Sequence, residues 1–366
     1  MKKEVLKNLY TSFLLAASPE KCLTQLGPIR NTGRILIVGI GKAAIPYCQQ
    51  LQRKVRSDYS GIIITTPTKN FPTDLDAFKI FYANHPIPDE DGLFATEYLI
   101  EKIKELTSND LLLFLVSGGG SALLPSPPIG FKLKDEILLN KILLRCGAPI
   151  QVINLIRKHF SRVKGGRLAR LAYPAKVRTL VVSDIPHDDI SQVASGPTLA
   201  TPGSAQDALD AIKKYNINVP NNIRTYFKSD KVDTPLPDDL CFKENIQEQL
   251  ASASKCMNSV VNFARSKLTR VIVISDSSEG EAKHVAVEHA RFIRDNLPTC
   301  SIGSCEQVLF LSGGETSVTV VNPKGKGGRN SEYLLSLAIK LESYNLGPYA
   351  AIAADTDGID GTGQNA

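Results

Sequence analysis

One kind of segment constrains this chain more than any other: short runs rich in Ile, Val and Leu that do not alternate with polar residues. Residues 34–40 (RILIVGI), 61–66 (GIIITT), 78–83, 110–117 (DLLLFLVS), 177–184, 270–276, 307–313, 316–321 and 349–355 share this character. Strands that are apolar on both faces suit a sheet covered on both sides, which is the habit of parallel sheets. Helical periodicity fills the intervals at 41–56, 92–107, 134–146, 149–159, 206–215, 242–267, 280–296 and 330–344. The alternation predicts an α/β fold built on a parallel sheet. A chain of 366 residues is long for one core, so two domains are expected. Residues 216–241, with NVPNN and DTPLPDD, read as a connection. They place the domains at 1–240 and 241–366.

Composition narrows the function. The chain has 43 basic against 37 acidic residues, a mild excess that suits a small anionic substrate without requiring nucleic acid. It has no Trp, and its basic segments carry few aromatics to stack on bases. Seven Cys are scattered without a C-x-x-C, as expected of reduced thiols in a cytoplasmic protein; Cys300 and Cys305 have no cluster around them to suggest zinc. The N-terminal MKKEVLKNLYTSFLLAAS has helical apolar spacing interrupted by Glu4 and Lys7, which favours a packing helix over a signal peptide. No run approaches a membrane span.

In doubly wound sheets, ligands meet the carboxyl ends of strands, and here those ends carry the chemistry. V38-G-I-G-K-A-A44 has the G-x-G-x-x-A spacing of a dinucleotide turn, with Gly41 and Lys42 where a phosphate would lie. The next strand ends T65-T-P-T68, without the carboxylate that would hold a ribose. A tight turn with a surface lysine is the alternative. Ser117, Gly118, Gly119, Gly120 and Ser121 form a turn with more glycine than bending requires, so its N–H groups could face an anion. Lys164 and Arg167 flank paired glycines, as an anion grip or as part of a solvated basic face. Asp184, Asp188 and Asp189 follow a strand in S183-D-I-P-H-D-D189; they could hold Mg²⁺ or accept a proton, or Asp189 could cap a helix. His187 reads as local. In the second half, Gly313, Gly314 and Glu315 echo the glycine turn, K324-G-K-G-G-R-N330 brings Gly328, Arg329 and Asn330 to a helix start, and Asp355, Asp357 and Asp360 follow a strand. Basic glycine turns beside carboxylate turns suit phosphoryl transfer.

GIGKAA, HPIPDEDG (85–92), SGGGSALLP, KGGRLA, SDIPHDDISQVASGPT, GEAKHVA (280–286), SGGETSVTV, GKGGRNSE and DTDGIDG occur in this order over essentially the whole chain. Together they closely resemble the class II glycerate 2-kinases, whose C-terminal domain is called MOFRL. The resemblance implies a Rossmann-like large domain, a smaller α/β MOFRL domain and an active-site cleft between them. It implies transfer of the ATP γ-phosphoryl group to the 2-hydroxyl of D-glycerate with Mg²⁺ or another divalent cation. By motif it assigns Lys42 and Arg329 to the transferring phosphoryl, the 118–121 turn to the substrate and phosphate pocket, and Asp189 and Asp355 to metal or hydroxyl orientation. Small molecules are then the partners, with no membrane or nucleic acid, and the reading allows a homodimer. Family members have also been labelled hydroxypyruvate reductases, which makes a nicotinamide-dependent reductase the alternative, with a non-catalytic binding protein behind it. The family pattern continues beyond DTDGIDG, whereas this sequence stops at Ala366. The expectation is a shortened chain of low activity.

Overall fold

The computed structural model describes residues 2–68, 74–183, 189–200, 202–229, 232–266, 270–297, 307–322, 325–356 and 358–362. The chain forms two compact units. One holds Cys22–Asp184 and Asp189–Leu250; the other holds the first 21 residues and everything from Ala251.

The larger unit is built on six strands: β1 (Ile35–Ile40), β2 (Tyr59–Thr65), β3 (Phe78–Tyr82), β4 (Leu111–Val116), β5 (Lys176–Val182) and β6 (Ile246–Ala251). They lie in the order β3-β2-β1-β4-β5-β6. β3 with β2, β2 with β1, β1 with β4 and β4 with β5 all pair in parallel. The order reverses between β1 and β4, and at such a point neighbouring connections leave to opposite sides and open a crevice. Strand composition follows position. Every residue of β1 is buried, as are Leu112, Leu113, Phe114, Leu115 and Val116 of β4. Each such aliphatic or aromatic side chain contributes about 1.5–3 kcal/mol over leaving it in water. At the start of β4, Asp110 accepts from the N–H of Arg34 and from the N–H and hydroxyl of Thr107. Burial pushes this carboxyl up, but those bonds and the Arg34 cation outweigh it and hold it below the usual carboxylate range.

Beside the sheet, helices Leu133–Arg145, Ile150–His159, Ala205–Lys214 and Asn221–Phe227 share a second core around Leu139, Ile156, Phe160, Ile212 and Phe227. The last of these corrects the reading of 216–241 as a connection. Ile223 and Phe227 stand four apart and both are buried, so a seven-residue helix sits inside the Pro- and Asn-rich stretch. The expected single helix over 242–267 is instead β6 followed by helix Ala253–Arg265, because Ser252 accepts from the Lys255 N–H and starts the helix anew.

The smaller unit has a two-stranded parallel sheet, β7 (Arg270–Glu281) with β8 (Val308–Ser317). The N-terminal helix Lys2–Ala16 packs here rather than with the segment that follows it: Leu9 shares a core with Val260, Ala264 and Leu309. Helices Ala282–Asn296 and Arg329–Glu342 pack through Ala286, Ala290, Leu337 and Leu341. The separate strand expected at 316–321 does not form, since β8 runs on through its glycines to Ser317, and 349–355 has no strand partner among the described residues. Among those residues, no helix is long and apolar enough to cross a membrane, and Cys22, Cys48, Cys146, Cys241 and Cys256 are not in disulfides.

Candidate active site

The two glycine turns of the larger unit meet at the β1/β4 reversal. Lys42 donates its N–H to Gly118 O (2.9 Å), Ser117 donates to Ile40 O (2.8 Å), and Ala43 donates to Ser117 Oγ (3.2 Å). The glycines are needed. Gly41 has φ +115°, and a Cβ there would come within 2.2 Å of Ser117 Oγ. Gly119 has φ +86°, and a Cβ there would lie 3.2 Å from the His85 ring and 3.4 Å from Lys42 Cγ. The β1 turn therefore spends the N–H groups of Lys42 and Ala43 on the β4 turn, and that of Gly41 on Ile64 O of β2, instead of holding them for a dinucleotide. In the β4 turn, the N–H groups of Gly118, Gly119 and Gly120 meet no acceptor among the described residues. Successive free N–H groups make a concavity suited to an anion, and the stem of exposed Lys42 rises beside it.

Ser121 Oγ lies 2.9 Å from Ser195 Oγ. Ser195 belongs to a strained run in which Ala194 (φ 52°), Ser195 (φ 60°) and Gly196 (φ 58°) are all left-handed. Its geometry is imposed by the paired glycines of the KGGR segment: Gly165 and Gly166 donate to the carbonyls of Ser195 (3.0 Å) and Gly196 (2.8 Å). Lys164 and Arg167 brace that segment. Lys164 is buried and donates to Leu124 O (3.0 Å) and Glu136 Oε1 (2.9 Å). Arg167 is buried and donates to the carbonyls of Lys158, Lys164 and Asp233 and to Thr234 Oγ1. The expectation that these two cations grip an anion is corrected by this geometry, because their donors are taken up inside the fold. Asp189 accepts from the N–H and hydroxyl of Ser191 and from Gln192 Nε2, as a cap on the short 3₁₀ turn Ile190–Ser195.

In the smaller unit, Arg329 opens helix Arg329–Glu342. Its Nε and Nη2 fork onto both oxygens of Asp355 (3.0 and 2.6 Å), and Nη1 donates to Glu315 Oε1 (2.7 Å). These bonds outweigh the cost of its partial burial and raise its pKa. Asn330 adds a bond to Asp355 (3.1 Å). Asp360, buried, caps the helix by accepting from the N–H groups of Asn330 and Ser331 (both 2.9 Å) and from the Ser331 hydroxyl. Burial pushes the Asp360 carboxyl up, but the Ser331 and backbone bonds win and hold it low. Gly328 admits this cap, since a Cβ there would fall 2.4 Å from Asp360 Oδ1. Gly313 and Gly314 lie at the end of β8, where Gly314 (φ +138°) pairs with Ser278 and a Cβ would strike the Ser278 backbone.

A family model described as the Domain of unknown function (DUF4147) matches residues 5–228, and the MOFRL family model matches 308–366. The D-glycerate 2-kinase of Thermotoga maritima is 33% identical over 354 residues, covering 94% of this chain and 80% of that protein. The chain belongs to the MOFRL glycerate kinase family. A crystal structure of the Thermotoga maritima glycerate kinase overlays it with a TM-score of 0.78 at 30% identity, over 98% of this chain and 84% of that one. An Agrobacterium vitis protein that bears the name "Putative hydroxypyruvate reductase" is 36% identical over 365 residues, covering 98% of this chain and 80% of its own length.

For a chain of the MOFRL glycerate kinase family, some expected site residues stand together and others do not. The structure joins Gly41, Lys42 and the 117–121 turn in one place, and Glu315, Gly328, Arg329, Asn330 and Asp355 in another. Asp184, His187, Asp188, Lys324 and Asp357 lie outside the described residues. Among the described residues, no three His, Cys, Asp or Glu side chains gather as a metal cage. Both oxygens of Asp355 accept from Arg329, and Asp189 caps the short 3₁₀ turn. Sequence pattern did not foretell the contact of Ser195 with Ser121, nor the capping role of Asp360, foreshadowed only by its spacing after DTDG.

Proposed function

We propose that this chain transfers the γ-phosphoryl group of ATP to the 2-hydroxyl of D-glycerate, giving 2-phosphoglycerate and ADP. One observation carries the reading: at the β1/β4 reversal, three adjacent backbone N–H groups that meet no acceptor among the described residues lie beside the stem of Lys42. Donors fixed in advance and aimed at a polyphosphate need no rearrangement as charge moves in the transition state. Lys42 would neutralise phosphate charge as a mobile point cation. Arg329 would contribute a guanidinium already oriented by the Asp355 fork; an incoming anion would displace Glu315, which holds it by one contact and is more exposed than Asp355. Asp355 is thus an orienting group. A divalent cation would arrive mainly on the ATP phosphates, as Mg²⁺ usually does.

The reductase reading rests on the name of the Agrobacterium vitis relative. Against it, β2 ends at Thr65 and continues as Thr66-Pro67-Thr68, with no carboxylate for a ribose. Incubation with D-glycerate and ATP, followed by phosphorus NMR of the product, tests the proposal. 2-Phosphoglycerate with stoichiometric ADP is expected. NADH oxidation by hydroxypyruvate without ADP formation would overturn it, and the 3-phosphate isomer would overturn the site of transfer.

A further inference from the structure

Histidine 289 is used by none of the chemistry above, yet it lies at the centre of a polar chain inside the smaller unit. It sits on helix Ala282–Asn296 and is 7% exposed. Its Nδ1 is 2.8 Å from the Tyr333 hydroxyl, and its Nε2 is 3.3 Å from Ser278 Oγ. Ser278 Oγ is in turn 3.1 Å from Ser312 Oγ. Both ends of the chain lead to Arg329. Tyr333 is four residues beyond Arg329 on the same helix, one turn further along one face. Ser312 is three residues before Glu315 on β8, and Glu315 accepts from Arg329 Nη1. The links close a ring: Arg329 to Glu315, along β8 to Ser312, across Ser278 and His289 to Tyr333, and back along the helix. Register irregularities in β7 between Val273 and Ser275, and between Ser275 and Ser278, supply the geometry, since bulges re-aim side chains beside functional loops.

We propose that His289 is a positioning residue that fixes the Ser312–Glu315 turn relative to the helix bearing Arg329, acting through Ser278 and Tyr333. The protonation states suit the task. Burial holds the imidazole pKa below its ordinary value and pushes the Tyr333 phenol up to about 12, so both are neutral near pH 7. A neutral imidazole has one donor and one acceptor nitrogen. The bonds of the chain therefore all run in one direction. With Tyr333 donating to Nδ1, Nε2–H donates to Ser278, Ser278 donates to Ser312, and the Ser312 hydroxyl is left to donate outward from an exposed position. That is the direction an anion at this turn would select, and it calls for the Nε2–H tautomer.

The inference of a catalytic consequence rests on the kinase reading, so the test has two arms. Nitrogen-15 NMR of the histidines in the full chain should show His289 as a neutral Nε2–H tautomer at pH 7, with its Nδ1 resonance shifted in Tyr333→Phe. A protonated ring, or an Nδ1 resonance indifferent to Tyr333→Phe, would overturn the chain itself whether or not the protein is a kinase. In the ATP-dependent glycerate assay, His289→Gln and Tyr333→Phe should each lower kcat about tenfold with the KM for glycerate unchanged. The double variant should be no worse than either single one, because one ring is cut once. Multiplying losses, or a rise in KM alone, would reject positioning. Circular dichroism of each variant separates these outcomes from misfolding, and Tyr333→Phe, which removes a single oxygen, keeps the test valid if His289→Gln fails to fold. Absence of phosphorylation by the unaltered chain would sink the kinase reading and leave the NMR arm to decide the ring.

Discussion

Among single residues, the sharpest contrast is between cations of similar sequence appearance. Lys42, Lys164, Arg167 and Arg329 all adjoin glycine, singly at Lys42 and in pairs at the other three. Lys42 is exposed beside the 117–121 turn, Arg329 is forked onto Asp355, and Lys164 and Arg167 are buried. Lys42→Ala is expected to reduce kcat for glycerate phosphorylation by about 10²–10³, the usual cost of losing one preorganised charge-stabilising group, as measured by ADP release. Arg329→Lys should cost nearly as much, because an ammonium cannot fork onto Asp355. Glu136→Ala strands the Lys164 ammonium in a 2%-exposed site. It should lower stability by about 3–5 kcal/mol in urea unfolding, whereas Glu136→Leu with Lys164→Met should recover part of that loss, the remainder being the buried Ser126 N–H that loses its Glu136 acceptor.

At the level of elements, function rests on where strands and helices begin and end. Glycine 41 links β1 to its helix in a left-handed conformation with no room for a side chain. Gly41→Ala should therefore destabilise the larger unit by about 1–3 kcal/mol, and the loss of activity should exceed what unfolding explains. The helix bearing Arg329 starts on the Asp360 carboxylate. Asp360→Ala should cost about 1–2 kcal/mol, typical of a lost cap, read as an earlier thermal transition. The element reading also failed at places with a definite cause. Residues 349–355 look like a strand by composition but meet no strand partner among the described residues, and 221–227 looks like a linker but buries Ile223 and Phe227. Local pattern reports what a segment could do; pairing and burial depend on what stands opposite.

For the molecule as a whole, buried histidines tie stability to pH. His159 is fully buried on helix Ile150–His159, facing Lys158, Arg167, Asp207 and Thr234, with Nδ1 2.6 Å from the Thr234 hydroxyl. Burial, and then the Lys158 and Arg167 charges, lower its pKa to about 3. The unfolded chain binds a proton near the ordinary histidine value of about 6.5 while the folded chain does not. Stability should thus fall as pH drops below that value and stop falling near 3 on this account; His289, also lowered, acts in the same direction. A flat melting temperature between pH 7 and 5 would contradict this, and His159→Gln should reduce the slope. The sequence by itself determined the α/β class and the glycine turns, because apolar strands and glycine-rich bends are local requirements of backbone and burial. It also carried the family, because nine ordered motifs seldom recur by chance. Only the tertiary structure decided which cations are buried inside the fold, that Asp355 holds an arginine, and that the N-terminal helix packs with residues beyond 250. Those outcomes depend on which donors meet which acceptors across long separations in the chain, and no local spacing encodes that.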